Sequence, residues 1–552
     1  MCHQSNNVGT TGMGMIGNFG KVKSGGIVLL GATTIQLAKF LTSEVFSRAL
    51  YFWVQAGPIV VHYKFTRWFL KKTKAPLEKR NEVYDSLHNK YSKRSFDIAL
   101  HLRGLYVKMA QIISSRPDFV PPQYVDIFIT AEDSLPQWSI DEVVNEINGT
   151  LHSEFGLSFD DVFEGIESIA LGSASIGQVH KAKLKPEYAS AGGYKGGDIV
   201  AVKVMHRGAE GRFHHDFQVF RWLCKVALKG WGPILDECYS QIMSEFDYRN
   251  EARSLSRVRR NMMISPFQGR IVVPEPVSKL SSKELLIMQM LEGKKWSEAI
   301  EDDLALALGG KEEASALIKA KRLDLILGKE KRQALREGAT DASVGGKSSS
   351  FDWMKGLDLK KKLRLYSLYK RTKSYVDLMV DVQGHQILTN GVFQGDPHNG
   401  NILLMPNGSL GLIDYGQTKT LSHEQRLGVA RIVLALGRKS GRAEIAKEMR
   451  ALGFETKFGN EKTLAKYASL FFDSDVAAKD EGCSTPQLYF AKLTAEDPLV
   501  HVPDVAIFVA RASFILRGMG TILDKQICTA SRWMSQAEDA LREQGHEDAA
   551  PL

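Results

Sequence analysis

The chain has 552 residues, enough for two or three domains, and its hydrophobic content of 44% and charged content of 24% are ordinary for a folded protein. The net charge of +9 is modest for this length, and no zinc-finger or other nucleic-acid motif occurs, so a nucleic-acid partner is not expected. The five cysteines are scattered and include no Cys-x-x-Cys pair, which argues against a disulfide framework or a zinc site.

Residues 1–60 are predicted to be a targeting or membrane-proximal segment. Residues 1–43 contain no Asp or Glu and are rich in Gly, Ser and Thr, which is typical of organelle transit peptides and indicates a mitochondrion or plastid rather than the cytoplasm. Against this, transit peptides are usually rich in arginine, and Arg48 is the first arginine here. Residues 26–41 come nearest to a membrane span but are too polar and short of the ~18 apolar residues required.

Residues 61–165 are predicted to form a helical extension that is broken at Pro117 and at Pro121-Pro122. Near its start, the aromatic residues Phe65, Trp68 and Phe69 lie among basic residues. The basic residues are Lys64, Arg67, Lys71, Lys72 and Lys74. Such a helix fits an anionic membrane surface or lipid. An amphipathic helix that packs on the rest of the protein is the favoured alternative, and both can hold at once.

Residues 166–293 are predicted to be a nucleotide-binding lobe. The segment 168–184 reads as strand, small-residue turn and strand, with the turn Gly172-Ser173-Ala174-Ser175-Ile176-Gly177. Glycine lets backbone amides approach phosphate closely, whereas the Cβ atoms of Ala174 and Ser175 restrict that approach, so the turn by itself is a weak nucleotide signal. The following strand, residues 198–205, carries Lys203 in the pattern of a lysine that holds nucleotide phosphates.

A carboxylate partner for Lys203 is expected from the next helix. Residues 244–255 offer Glu245, Asp247 and Glu251, of which the last two share a helical face because they are four residues apart. The lobe ends at residues 284–293, a predicted strand that leads into the hinge between lobes and places Met290 beside the nucleotide.

Residues 294–552 are predicted to be a mostly helical second lobe that contains an insertion at 298–352. The insertion ends in a stretch rich in Gly and Ser at 338–350, the composition of a flexible tether. A partner-binding or regulatory role for the insertion is the alternative. Long helices are predicted at 359–388 and 502–523, the second with apolar residues at core-helix spacing.

Asp396, Asn401 and Asp414 lie in the segments GVFQGDPHNGNILL and GLIDYGQTKTL. Kinase-type phosphoryl transfer needs an aspartate for the attacking hydroxyl, an asparagine on one Mg²⁺ and an Asp-aromatic-Gly turn on the other. Between Asn401 and Asp414, two apolar runs flank Asn407-Gly408, which predicts a hairpin that places both metal ligands side by side.

Several motifs together make the chain resemble the UbiB family of atypical kinase-like proteins, over about residues 100–530. These motifs are YVKMAQIISSRPDF (106–119), GSASIGQVH (172–180), VAVKV (200–204), EFDYRNEA (245–252), GDPHNGN (395–401) and DYG (414–416). The resemblance implies an α+β, two-lobed protein-kinase-like fold that binds ATP (or ADP) with Mg²⁺. It also implies a role in isoprenoid-quinone or other lipid metabolism, with a lipid-biosynthetic protein complex as partner.

The resemblance also assigns residue roles. Lys203 would hold the phosphates with Glu251 as partner, Asp396 would be the catalytic aspartate, and Asn401 and Asp414 would bind Mg²⁺. Lys108 and Gln111 would belong to a lid that folds across the site, where Lys108 pairs with Glu245 and Asp247 completes the contact. Such a lid argues against ordinary protein kinase activity.

The chain departs from the family pattern in a few places, and none of them removes a metal ligand or Lys203. Ala110 replaces a glycine of the lid motif, Gln394 stands where histidine is frequent, and Tyr415 replaces phenylalanine in the metal turn. If Tyr415 is buried, its hydroxyl needs a hydrogen-bond partner.

Three functions are therefore weighed. The first is an atypical kinase or ATPase with an unknown acceptor. The second is a nucleotide-binding pseudokinase scaffold in which the lid blocks transfer to protein. The third, an aminoglycoside-phosphotransferase-like small-molecule kinase, shares the catalytic spacing but gives no reason for the Lys108 and Glu245 motifs.

Overall fold

The computed structural model describes residues 43–114, 121–128, 137–173, 175–189, 198–227, 239, 242–318, 358–474, 481, 483, 486–523 and 525–547. Residues 1–42 of the predicted targeting or membrane-proximal segment and most of the predicted insertion lie outside these residues, whereas residues 44–60 of that segment are helical. No helix within the described ranges is long and apolar enough to cross a membrane.

Four helices form the N-terminal extension: α1 (Glu44–Lys72), α2 (Leu77–Leu102), α3 (Gly104–Ser114) and α4 (Pro122–Phe128). The Ser43 hydroxyl caps α1 by accepting a hydrogen bond from the Phe46 amide at 3.2 Å. One face of α1 is buried, including Phe52 and Ile59, in a cluster with residues of α2 and α3. Arg48 binds Asp216 at 2.5 Å, and this ion pair attaches α1 to the lobe that follows.

The first lobe begins with α5 (Ile140–Phe155) and α6 (Phe159–Val162) and contains an antiparallel sheet. Its strands β1 (Phe163–Ile166), β3 (Gly177–Leu184), β4 (Ile199–Met205) and β6 (Leu285–Gln289) are hydrogen-bonded in that order, and β2 (Gly172–Ser173) pairs with β3. Helix α7 (Pro186–Ala189) follows β3.

Alternation along β4 decides what faces the cleft. Val200, Val202 and Val204 are fully buried in the cluster that contains the apolar face of α5. Because successive strand residues point to opposite faces, Lys203 lies on the other face, together with Ala201. Helices α8 (Ala209–Ala227) and α9 (Tyr248–Met263) follow β4.

The predicted helix over residues 244–255 is in fact two elements. Ser244–Phe246 forms a 3₁₀ turn, and Asp247 has an extended backbone and caps α9 by accepting from the Arg249 amide at 3.0 Å. Asp247 therefore lies before the helix that carries Glu251. Its short carboxylate favours the N-cap position over the helix interior.

A second sheet lies between the lobes, with strand order β5 (Ile271–Val272), β10 (Leu410–Leu412), β9 (Ile402–Leu404) and β7 (Lys294–Lys295). The predicted hairpin is confirmed, since β9 and β10 pair antiparallel with Leu412 opposite Ile402. Gly408 has a φ of +82° in the turn, a conformation that favours glycine. Strands β8 (Val392–Gln394) and β11 (Thr418–Thr420) form a separate pair on either side of the hairpin in sequence.

Helices build the second lobe: α10 (Trp296–Leu308), α11 (Leu359–Leu388), α12 (His423–Gly437), α13 (Arg442–Leu452), α14 (Glu461–Phe472), α15 (Pro486–Glu496), α16 (Asp504–Ile522) and α17 (Thr529–Glu547), with the small strands β12 (Glu455–Thr456) and β13 (Leu499–His501). The predicted long helices at 359–388 and 502–523 correspond to α11 and α16. The Trp533 indole donates to the Val380 carbonyl at 2.7 Å and joins α17 to α11.

The boundary expected at residue 298 falls inside a packed helix. Ala305 and Leu308 of α10 are buried against Leu365 of α11, and a further helical stretch follows at residues 311–318. The first part of the predicted insertion is thus part of the folded lobe, because its alanine and leucine residues find an apolar partner surface. Residues 319–357, with the Gly/Ser-rich stretch, lie outside the described residues.

Candidate active site

Lys203 and Glu251 form a buried, two-point ion pair between the sheet and helix α9. The Lys203 ammonium lies 3.0 Å from Oε1 and 2.8 Å from Oε2 of Glu251, which is 3% exposed. The ring of Tyr248 lies 5.0 Å from the same ammonium. The strand and the helix therefore hold one lysine in a fixed position, as a phosphate-binding cation requires.

The charge on Lys203 is secured by its neighbours. Burial opposes that charge, but the carboxylates of Glu251 and Asp414 outweigh it and raise the pKa of Lys203 above its ordinary value. Burial also acts against the ionised form of Asp414, yet the positive charge of Lys203 and the Gly416 amide hold its pKa below the usual range. Both groups thus remain charged at neutral pH.

The hairpin places Asn401 and Asp414 at the same end of two paired strands. The Ile413 amide donates to the Asn401 carbonyl at 3.2 Å, so Asp414 follows directly after the last bridge between β9 and β10. The Gly416 amide donates to Asp414 Oδ1 at 2.9 Å and orients the carboxylate. The amide side chain of Gln394 donates to the Asp414 carbonyl at 2.6 Å. Gln394, which stands where histidine is frequent in the family, therefore holds the backbone of the metal turn.

Tyr415 is fully buried, and its hydroxyl has the partner that its burial requires. The Gln386 side chain donates to the Tyr415 hydroxyl at 3.3 Å. The aromatic residue of the metal turn is therefore anchored to the long helix α11, and the tyrosine is accommodated without an unsatisfied group.

No cluster of three His, Cys, Asp or Glu residues suited to a metal ion occurs among the described residues. Mg²⁺ commonly takes only one or two protein ligands and completes its shell with phosphate oxygens and water. Asn401 and Asp414 fit that donor set, because they supply one amide oxygen and one carboxylate held in its charged form.

The small-residue turn is held by strand pairing and by one essential glycine. Gly172 pairs with Val179 and Ser173 with Gln178, while Ala174 lies outside the described residues and Ser175 is partly buried. A Cβ at Gly177 would lie 2.3 Å from the Val204 carbonyl oxygen and 2.6 Å from the Tyr248 hydroxyl oxygen. Gly177 is therefore required for the packing of β3 on β4, rather than for an approach to phosphate.

Two residues that are predicted from sequence to contact the nucleotide lie in the first lobe, Ser173 on β2 and Met290 directly after β6. The Ser173 hydroxyl is buried and has no hydrogen-bond partner among the described residues, so it is available to a ligand. Met290 follows β6 directly and packs, partly buried, against the main core cluster.

The extension reaches the site through Lys108 of α3. Its ammonium lies 2.8 Å from Oε1 of Glu245, and the two side chains are 15% and 13% exposed. Gln417, just after the metal turn, donates to the same Glu245 oxygen at 2.8 Å. The predicted lid contact between Lys108 and Glu245 is thus present, and Gln417 is its third member.

Asp247 does not take part in the described lid contacts, contrary to the expectation from the resemblance. Its Oδ1 and Oδ2 accept from the Arg249 guanidinium at 2.8 and 2.9 Å. The helix start at Tyr248 turns Asp247 into an N-cap, which directs its carboxylate to Arg249. The side chain of Gln111 lies outside the described residues.

Arg511 is a site residue that the motifs do not reveal. Its Nη2 lies 2.9 Å from Asp396 Oδ2, and its Nη1 donates to Gln417 Oε1 at 3.2 Å. Arg511 belongs to α16, and the spacing of apolar residues in this helix predicts only a core helix. A single arginine in the apolar run VAIFVARASFIL is the signal that could have indicated a buried carboxylate partner.

Comparisons with known proteins agree on one family. The model of the ABC1 atypical kinase-like domain matches residues 131–307 and 350–448, which leaves a gap within the predicted insertion. A chloroplastic, uncharacterized aarF domain-containing protein kinase of Arabidopsis thaliana is 23% identical over 75% of this chain and 47% of its own length. The chloroplastic protein ACTIVITY OF BC1 COMPLEX KINASE 3 of the same plant is 24% identical over 67% of this chain and 42% of its own length.

The chain thus spans about half or less of the length of these curated relatives. Among solved structures, a Mycobacterium tuberculosis protein determined in complex with erythromycin aligns with a TM-score of 0.43 and 18% identity, over 84% of this chain and 98% of that one.

Proposed function

Because the chain belongs to the ABC1 family of atypical kinases, which is the UbiB family of the sequence motifs, we propose that it binds Mg-ATP between its lobes and acts as an atypical kinase or ATPase. The observation that carries this proposal is the buried Lys203–Glu251 pair beside a charged Asp414. A lysine held on both carboxylate oxygens is a preorganised cation for phosphate oxygens, and it needs no rearrangement when they arrive.

The chain's own residues divide the work. Lys203 would hold the phosphates, Asn401 and Asp414 would hold the magnesium ion, and the Asp396 carboxylate would orient the attacking hydroxyl or water. A magnesium ion held there would supply positive charge beside the phosphate oxygens. Asp396 needs little basicity for this role, since phosphoryl transfer has a loose transition state in which positioning matters more than proton removal.

The proposal is tested by magnesium-dependent ATP binding and hydrolysis with the wild type and Asp414→Ala. Asp539→Ala is the matched control, because Asp539 is an exposed carboxylate near the middle of α17, where it pairs only with the exposed Arg542 among the described residues. We expect the wild type to bind and hydrolyse ATP, Asp414→Ala to lose both magnesium dependence and turnover, and the control to match the wild type. Absence of binding by the wild type would refute the proposal.

A nucleotide-binding scaffold without phosphoryl transfer to protein is the second candidate. It is supported by the Lys108–Glu245 contact, which joins α3 to the site, and in this proposal α3 occupies the space that a protein acceptor would need. Binding of ATP without turnover, both in the wild type and in a variant that lacks residues 1–136 and so keeps α5 in the core of the first lobe, would establish this function instead.

We propose further that the partner of the extension is an anionic membrane surface. Opposite its buried face, α1 exposes an apolar stripe, which consists of Leu50, Val54, Val61, Phe65, Trp68 and Phe69, each at least 51% exposed. The basic side chains of Lys64, Arg67, Lys71, Lys72 and Lys74 lie along the C-terminal half of this stripe or just after it, and Glu44 is the only acidic residue of α1. Such a helix can pack on the protein by one face and lie on anionic lipid by the other.

Vesicle flotation tests the membrane partner. The variant Phe65→Ser/Trp68→Ser/Phe69→Ser is expected to lose binding to vesicles that contain anionic lipid, and the wild type is expected to bind neutral vesicles weakly. The control is Leu359→Ser/Leu363→Ser/Tyr366→Ser, which removes a comparable set of exposed apolar residues from α11. Equal loss in both variants would contradict a specific role for α1.

We place the function in lipid metabolism, with isoprenoid-quinone biosynthesis and its protein complex as the favoured setting, and in a plastid. The support is the motif resemblance, the chloroplastic names of two relatives and the acid-free segment 1–43. Imaging of the whole chain fused to a fluorescent protein, beside a fusion that lacks residues 1–43, tests the location. A mitochondrial signal would contradict the plastid location but would agree with targeting to an organelle.

A further inference from the structure

A continuous chain of polar contacts connects the extension to the catalytic aspartate. Lys108 contacts Glu245 at 2.8 Å, Gln417 donates to Glu245 at 2.8 Å, Arg511 donates to Gln417 at 3.2 Å, and Arg511 contacts Asp396 at 2.9 Å. Lys108 lies on α3, Glu245 in the 3₁₀ turn and Gln417 just after the metal turn. Arg511 lies on α16, and Asp396 lies in the loop after β8. Elements far apart in sequence thus meet in one polar network.

We propose that Arg511 is the positioning residue of Asp396 and that Gln417 makes the lid pair part of the same positioning network. This inference rests on the proposed kinase or ATPase function. Arg511 acts through Asp396 and is assigned no contact with nucleotide or acceptor.

The geometry favours positioning over simple charge balance. Arg511 contacts one oxygen of Asp396, Oδ2, and no side chain among the described residues contacts the other oxygen. A carboxylate gripped at one oxygen has a defined orientation and presents the other oxygen to a hydroxyl or water. A reacting group oriented by a third residue is the general arrangement of nucleophile activation.

The planar guanidinium is suited to two partners at once. Nη2 serves Asp396 and Nη1 serves Gln417, and these directions are rigidly related because the group is planar. Lysine offers the charge without this fork. The Arg511 side chain is 31% exposed and that of Asp396 23%, so the pair is accessible enough to respond to an incoming acceptor.

Gln417 is the residue that joins the two ion pairs. Its amide nitrogen donates to Glu245 and its amide oxygen accepts from Arg511, so its orientation depends on both. If Lys108 leaves Glu245, the carboxylate loses its cation, and the Gln417 contact is the one that must compensate. The lid and Asp396 are therefore expected to influence each other.

Kinetics of ATP hydrolysis separate a positioning role from a structural one. Arg511→Met is expected to lower kcat about tenfold or more and to leave KM for Mg-ATP within about twofold, since a misplaced catalytic group mainly affects turnover. Arg511→Lys should recover part of kcat. The control is Arg532→Met, because Arg532 makes a bidentate contact with Asp381 at 3.0 and 2.6 Å on the second lobe.

A change in KM alone, an unchanged or raised kcat, or equal losses in Arg511→Met and Arg532→Met would overturn the positioning role. The coupling to the lid is tested by combining Lys108→Met with Arg511→Met. The effects on kcat should depart from multiplicative behaviour by more than about threefold, as expected for residues in one network. Multiplicative effects would overturn the coupling.

Amide hydrogen exchange keeps the inference testable whether or not ATP is turned over. Arg511→Met should increase exchange both in residues 395–401 and in residues 104–110 of α3, while Arg532→Met should change neither. A change confined to residues near Arg511 would overturn the network. If the wild type neither binds nor hydrolyses ATP, but Arg511→Met still increases exchange at both sites, the proposed function is refuted and the network stands.

Discussion

The ammonium of Lys108 lies 2.8 Å from the carboxylate of Glu245, and this contact joins the N-terminal extension to the cleft between the lobes. Both side chains are largely buried, at 15% and 13% exposure. A charge in such a place must be paired, because its loss of hydration is not otherwise recovered. The extension is therefore held at the site by an interaction that becomes unfavourable if either partner is removed alone.

Removal of Lys108 is expected to destabilise the extension. Lys108→Met leaves Glu245 with only the neutral Gln417 as partner, at a cost of about 2 kcal/mol in the free energy of unfolding, reduced from the fully buried case by partial exposure. Limited proteolysis and amide exchange in α3 measure the change. Lys108→Met/Glu245→Gln should cost less than Lys108→Met, since no uncompensated charge remains, and the opposite order would contradict this account.

The cation on β4 should dominate nucleotide affinity. Lys203→Met removes a charged hydrogen-bond donor and leaves Glu251 buried and unpaired, so the affinity for Mg-ATP should fall about tenfold or more. Titration calorimetry gives the dissociation constant. Lys181→Met is the matched control on β3, because Lys181 pairs with Glu167 at 2.9 Å at the exposed side of the same sheet. Similar affinities of the Lys203 and Lys181 variants would contradict the assignment.

Substitution of two glycines in the same turn should affect stability to very different extents. Gly177→Ala places a methyl group 2.3 Å from the Val204 carbonyl oxygen, so β3 and β4 must separate and the protein should lose about 2 kcal/mol of stability. Gly172→Ala meets no atom within 4 Å and should stay within about 0.5 kcal/mol of the wild type. Thermal melting compares the two, and equal destabilisation would show that the turn is packed differently.

His206 should make the first lobe sensitive to mild acid. Burial lowers the pKa of His206 to about 4, with help from the charges of Arg212 and Arg103, and its ring stacks on Trp138 at 4.3 Å. The unfolded chain, with an ordinary histidine pKa near 6.5, then binds more protons between about pH 6.5 and 4. Stability from this group is present above that window and is lost as the pH falls through it, by about 2 kcal/mol between pH 7 and 5.

The variant His206→Phe keeps an aromatic ring on Trp138 but cannot titrate. Its melting temperature should therefore fall less than that of the wild type between pH 7 and pH 5. His152→Gln, at an exposed position of α5, serves as the control and should follow the wild type. A wild-type pH dependence in His206→Phe would exclude His206 as the source.

Local sequence determined several secondary-structure elements of this protein and identified its family. Asn407-Gly408 between two apolar runs encodes a hairpin whatever surrounds it, because φ > 0 and strand twist are local requirements, and this hairpin sets Asn401 beside Asp414. The motif around Lys203 predicts its strand, and the helical spacing of apolar residues predicts the long helix α16. The motif set led to the family that the domain comparison shows.

Tertiary structure alone decided which polar residues meet. Asp247 would share a helical face with Glu251 only if the helix began before Asp247, but the helix begins at Tyr248, so Asp247 is its N-cap and its carboxylate binds Arg249. The start of the predicted insertion is packed, because α10 finds an apolar surface on α11 that no local pattern announces. Arg511 and Gln417 reach Asp396 and Glu245 through packing of distant elements, and partial burial then favours those contacts, since a charge that loses part of its hydration gains from a partner.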